Sequence, residues 1–271
     1  MKFRLYIVLI ILVLLSSCGE FDKLLKSTDA DLKKEKAKEY YADGQYVKSS
    51  ELLNQILPRF RATEEAEELN WIHVLSYYGM KDYFMASAYF KTFIDQFPFG
   101  KHAEEAHFLV AMSDYKISPR TELDQDNTRK ALEEFTIFVS RYPNSPKVEE
   151  CNKMITELQD KLVEKSHNNA LLYYDMREYK AAVVAINNSL KQYSNSKYRE
   201  EMMFLKLNSL LLYAEKSMPD KQKLRYQDTL DDYYTFMEEF PQSRYSKDVA
   251  GILSKTNKFL KEGIPESVVK N

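Results

Sequence analysis

Ala131-Leu132-Glu133-Glu134-Phe135-Thr136-Ile137-Phe138-Val139-Ser140-Arg141-Tyr142-Pro143-Asn144-Ser145 holds one copy of a pattern that recurs along the chain. Its apolar and small residues, Ala131, Phe135, Phe138, Val139 and Tyr142, stand at offsets i, i+4, i+7, i+8 and i+11. Those offsets form one stripe of a 3.6-residue helix. Proline disfavours helix at the residue before it, so Pro143 predicts a stop at Tyr142. Asn144-Ser145 then suits a turn and the N-cap of a following helix.

Four more copies follow the same offsets. They are Ser49-Leu53-Ile56-Leu57-Phe60, Ala86-Phe90-Phe93-Ile94-Phe97, Ala182-Ile186-Ser189-Leu190-Tyr193 and Thr229-Tyr233-Phe236-Met237-Phe240. The first position is small every time, which lets a neighbouring helix approach. Phe97-Pro98 and Phe240-Pro241 repeat the aromatic-proline stop, and Tyr193-Ser194 keeps the aromatic alone. Upstream, a second signature recurs in Tyr40-Tyr41…Tyr46, Tyr77-Tyr78…Tyr83 and Tyr173-Tyr174…Tyr179. Its last tyrosine lies three residues before the small residue, so it predicts the turn joining two helices of a hairpin.

The pattern resembles the tetratricopeptide repeat, with its A-x3-F…P spacing. Successive small residues lie 37, 45, 51 and 47 residues apart, longer than the minimal repeat of about 34. Ser118 to Asp126 and the helical pattern from Val148 to Tyr174 account for two extensions. Lys247 to Leu260 is amphipathic and would cap the array, since each hairpin buries a face only against its neighbours. The expected fold is all-α: a tetratricopeptide-like solenoid of five helix hairpins with a C-terminal capping helix, over residues 30–262, followed by a tail at 263–271.

The N-terminus reads as an address. Lys2 and Arg4 precede an apolar run from Leu5 to Leu15, which is too short for a membrane-spanning helix and fits a secretory signal. Leu15-Ser16-Ser17-Cys18 resembles the bacterial lipobox. Residues 1–17 are then a lipoprotein signal peptide, Cys18 the lipid-attachment residue, and the polar segment 18–29 a tether.

Composition narrows the chemistry. The 271 residues include only 6 glycines, and the formal net charge is −2. Glycine-rich phosphate loops are disfavoured, and nucleic-acid binders are usually basic. G-x-S-x-G, H-E-x-x-H, G-x-G-x-x-G and C-x-x-C are all absent from the sequence. His102 and His107 are five apart and point to different helix faces, a poor metal pair. No enzyme activity, cofactor or metal is expected. Cys151 reads as a packing residue. The Glu64–Glu68 cluster reads as acidic residues favoured at a helix start, and Lys33, Lys34, Lys36 and Lys38 as a solvated face.

Helical repeats offer a concave groove lined by the first helix of each hairpin. Counting back along the repeat places Trp71 and Tyr78 on that side, and Lys38 and Tyr41 likewise one repeat earlier. These four are the peptide-groove candidates; the alternative is that the rings fill the interface between hairpins.

The lipobox at Cys18, the five repeats, the segment from Asp126 to Ser145, and Ala88-Tyr89-Phe90-Lys91-Thr92-Phe93 with Phe97-Pro98 and Ala103-Glu104-Glu105-Ala106 are similar to the BamD family. These are tetratricopeptide lipoproteins of the outer-membrane β-barrel assembly machinery. The resemblance covers residues 18 to 250 and is weakest in the fifth repeat, where Thr229 replaces alanine. It implies a non-enzymatic assembly factor in the cell outer membrane, lipid-anchored and facing the periplasm. Such a factor docks on the BamA subunit through its C-terminal repeats. It engages unfolded β-barrel outer-membrane proteins through its N-terminal ones. Other readings of the same fold are a glycan-binding lipoprotein of the SusD type, for which the chain is short, and a generic envelope scaffold.

Overall fold

A computed structural model describes residues 19–262, so the signal peptide, Cys18 and the 263–271 tail lie outside the described residues. All regular structure among the described residues is helical. Residues 19–26 form α1. Five hairpins follow: α2 (Ala30–Ala42) with α3 (Tyr46–Phe60), α4 (Ala66–Gly79) with α5 (Tyr83–Gln96), α6 (Ala103–Ile117) with α7 (Asp126–Arg141), α8 (Val148–Asp175) with α9 (Tyr179–Gln192), and α10 (Arg199–Glu215) with α11 (Pro219–Glu239). The capping helix is α12 (Ser246–Glu262). The fold is thus an all-α helical repeat of five hairpins and a cap. It divides into two compact units at Leu158 and Gln159, within α8.

In the first unit, α2 packs on α3 and also reaches α4, and α4, α5, α6 and α7 pack in sequence. Its main core holds Phe90, Phe93, Phe135 and Phe138, and a second cluster under the first hairpin holds Leu52, Leu53, Ile56 and Leu69. In the second unit, α10 packs on both α9 and α11 and reaches α12. Phe236, Leu207 and Ile252 centre one cluster there, and Ala170, Ile186 and Met202 another.

The small first residue of every stripe is fully buried: Ser49, Ala86, Ala131, Ala182 and Thr229 all have 0% exposure. The stops are also uniform. Phe97, Tyr142, Tyr193 and Phe240 share φ between −124° and −128° and ψ between 57° and 66°. Tyr193 reaches this geometry without a following proline, so proline is not required for the stop. The aromatic's carbonyl then accepts from the N–H of Gly100, Ser145, Ser196 or Ser243, at 3.0–3.2 Å. The serines hold the turn and are not N-caps: their hydroxyls accept from the N–H two residues on, at Lys147, Tyr198 and Tyr245.

The three tyrosine signatures are turns, as expected. Gly44, Lys81 and Arg177 take the left-handed conformation, with φ of 74°, 62° and 62°. Their N–H groups donate to the carbonyls of Tyr41, Tyr78 and Tyr174.

Two expectations need correction. The 19–29 segment is helical over 19–26, and Phe21, Leu24 and Leu25 pack against the first hairpin. Three apolar residues at i, i+3 and i+4 suffice for one buried face. Lys33 is not solvated: it is 5% exposed, and its ammonium donates to the Leu25 carbonyl at 2.9 Å and to Gln55 Oε1.

Candidate functional site

The four groove candidates differ in burial and in what covers them. Trp71 is 7% exposed. Its ring packs on Phe90 and Phe93, and the His102 imidazole stacks over it at 4.5 Å. Counting along the repeat cannot see this cover, because His102 comes from the next inter-hairpin loop. Trp71 is therefore an interface residue rather than a groove surface.

Tyr78 meets Tyr83 across its turn at 5.3 Å and lies edge-on to Phe90. Tyr41 meets Tyr46 in the same way at 5.6 Å, and Tyr174 meets Tyr179 at 6.1 Å. The second tyrosine of each pair and the tyrosine after the turn thus clasp the hairpin end. Burial raises the phenol pKa of both Tyr41 and Tyr78. Lys38 lies 3.5 Å from Glu35 and 3.7 Å from Glu65. Trp71 and Tyr78 thus share the Phe90 ring, while Lys38 and Tyr41 lie together on α2, one hairpin earlier.

The acidic cluster joins hairpins. Glu65 pairs with Lys34 at 2.8 Å, which holds its carboxyl below the usual range. Glu67 accepts the His102 backbone N–H at 3.1 Å. Glu68 pairs with Lys101 at 2.6 Å and with the His102 ring at 3.3 Å, and Lys101 chiefly lowers its pKa. In the second unit, Glu200 accepts from Ser243 and the Arg244 N–H, and Tyr245 stacks on Phe204 at 4.2 Å. Both units use one device: a carboxylate and a ring on the first helix of a hairpin grip the loop that follows the hairpin.

What sequence reasoning missed is a cleft of about 220 Å³ between α3, α4 and α5. Leu57, Val74, Tyr89 and Phe93 give it apolar walls, and Asn54, Arg61, Asn70 and Gln96 give it a polar rim. His73 also lines it, 4% exposed, with no partner for Nε2. Burial lowers the His73 pKa to about 4, so the ring is neutral. The cleft is walled by two second helices, α3 and α5, together with the first helix α4, whereas the repeat analogy directs attention to the first helices alone.

In the second unit, the α8–α9 hairpin exposes several large apolar side chains. Leu172, Tyr173, Met176 and Val184 are 55%, 42%, 60% and 54% exposed. Tyr173 and Val184 border a shallow depression of about 550 Å³ with Glu178 and Lys180.

Cys151 is fully buried, and burial pushes its thiol up to about 11, so it is no nucleophile. Among the described residues, no three His, Cys, Asp or Glu side chains come together to hold a metal ion, and no helix is long and apolar enough to cross a membrane.

A family model described as an outer membrane lipoprotein, YfiO, matches residues 33–208 and 168–262. The chain belongs to the YfiO family. This is the BamD family of outer-membrane lipoproteins, as the residue patterns suggested. No curated protein matches the chain. Among solved structures, the TPR2AB domain of yeast Sti1 in its pHSP90 complex is 12% identical, with a TM-score of 0.37 over 84% of this chain and 98% of that one. A putative kinesin light chain of Podosopora anserina with TPR-like repeats is 13% identical, with a TM-score of 0.32 over 79% and 96%.

Proposed function

We propose that the protein is a non-enzymatic assembly factor for β-barrel proteins of the outer membrane. Cys18 carries the lipid anchor, the domain faces the periplasm, the repeats dock on a BamA-like subunit, and the first unit engages unfolded barrel proteins. Membership of the YfiO family is the observation that carries this reading. Two surfaces suit the two tasks. The exposed Leu172, Tyr173, Met176 and Val184 side chains offer the apolar centre that protein interfaces use. The α3–α4–α5 cleft has the size and wall chemistry for one apolar side chain, with Arg61 at its rim for a carboxylate.

The cleft is tested with a peptide of a barrel protein's C-terminus. Arg61 is exposed, so Arg61→Glu leaves the fold intact. It is expected to weaken binding at least fivefold and to abolish any preference for a free over an amidated C-terminus. Unchanged affinity removes the cleft assignment. Because Trp71 is buried, Trp71→Ala lowers stability and cannot report on a groove. The anchor is tested by Cys18→Ser, which is expected to move the protein from the membrane to the soluble envelope fraction.

A further inference from the structure

Among the described residues no slack linker precedes the first hairpin, because α1 packs on it. α1 runs antiparallel to α2: Phe21 meets Tyr40 edge-on at 5.6 Å, while Leu25 is held by the Lys33 ammonium at 2.9 Å. Arg59 also donates to the Thr28 carbonyl at 3.0 Å. The first residues of α1 therefore lie level with the turn between α2 and α3. Cys18 precedes Gly19 by one peptide, about 3.8 Å between Cα atoms.

The same edge of the first unit presents apolar side chains to solvent. Val47 and Phe84, the second residues of α3 and α5, are 56% and 69% exposed. Val47, Lys48 and Met80 border one depression of about 300 Å³, so the first and second turns adjoin there. Lys48 follows Val47, with its ammonium over the Phe21 and Tyr40 rings at 5.6 and 5.1 Å, and Lys81 lies in the adjoining turn, three residues before Phe84. Aromatic and aliphatic groups flanked by lysines suit the boundary between lipid headgroups and acyl chains.

We propose that this turn edge is seated in the lipid headgroup region, with Val47 and Phe84 inserted beside the Cys18 anchor. The inference rests on the lipid-anchor reading above. It makes the anchor an orienting device: the first hairpin stands on the membrane by its α2–α3 turn.

The test uses the full lipidated chain in vesicles of phosphatidylethanolamine and phosphatidylglycerol. Val47→Cys, Phe84→Cys and Phe99→Cys each receive an environment-sensitive fluorophore; buried Cys151 stays unlabelled. Phe99 is 96% exposed at the other end of α5, about 20 Å away at 1.5 Å per residue. Spin-labelled lipid is expected to quench positions 47 and 84 at least threefold more than position 99. Equal quenching at all three, with the protein retained on vesicles, overturns the edge assignment and leaves the anchor standing. Loss of the protein from floated vesicles overturns the anchor reading and this inference with it. A blue shift at position 84 that grows with protein concentration without lipid shows that a second copy covers the edge, and also overturns it.

Discussion

Gly44, Lys81 and Arg177 occupy one backbone position in three turns, yet only the first is glycine. An L-residue in the left-handed region costs about 1–2 kcal/mol, partly offset by glycine's greater entropy loss. Lys81→Gly and Arg177→Gly are each expected to raise stability by about 0.5–1 kcal/mol in urea unfolding, and Gly44→Ala to lower it by about 1 kcal/mol. His73 sets a pH dependence. Its folded pKa of about 4 lies below the usual 6.5, so between these values the unfolded chain binds the proton and the folded chain does not. Stability from the neutral ring is complete above pH 6.5 and is lost as pH falls towards 4, by on the order of 3 kcal/mol. His107 shifts in the same direction by burial. Urea melts at pH 5 and pH 7 check this: His73→Leu is expected to narrow the gap between them.

At the scale of elements, the helical stripe was legible because its five positions are buried or half-buried in every copy. Ala131, Phe135 and Phe138 have 0% exposure. Phe135→Ala is expected to cost about 3–5 kcal/mol, and Ala131→Leu about 1–3 kcal/mol by overpacking, both read from thermal or urea melts. The long α8 and the capping α12 fell where periodicity put them. The short α1 did not, because eight residues with three apolar ones give too little pattern to separate a helix from a polar tether. The Trp71 groove assignment failed at this scale also. Periodicity fixes which side of its own helix Trp71 faces, but the cover comes from His102, 31 residues on. The tyrosine signatures announced turns; that their rings clasp one another required three-dimensional contact. The α3–α4–α5 cleft joins three helices, and no local spacing encodes it.

For the whole molecule, family and fold were legible from the lipobox, the repeats and the aromatic-proline stops, and the YfiO match over residues 33–208 and 168–262 agrees. The central functional claim is partnership in barrel assembly. It is tested most directly by mild crosslinking of the full lipidated chain in its native envelope, detergent extraction through a C-terminal tag, and identification of the crosslinked proteins. The account predicts a BamA-like barrel subunit as the dominant partner, lost when Leu172 and Met176 are both replaced by Asp while helix content is retained. Recovery instead of a TonB-dependent transporter or a cell-wall protein, with no barrel-assembly subunit, would contradict it.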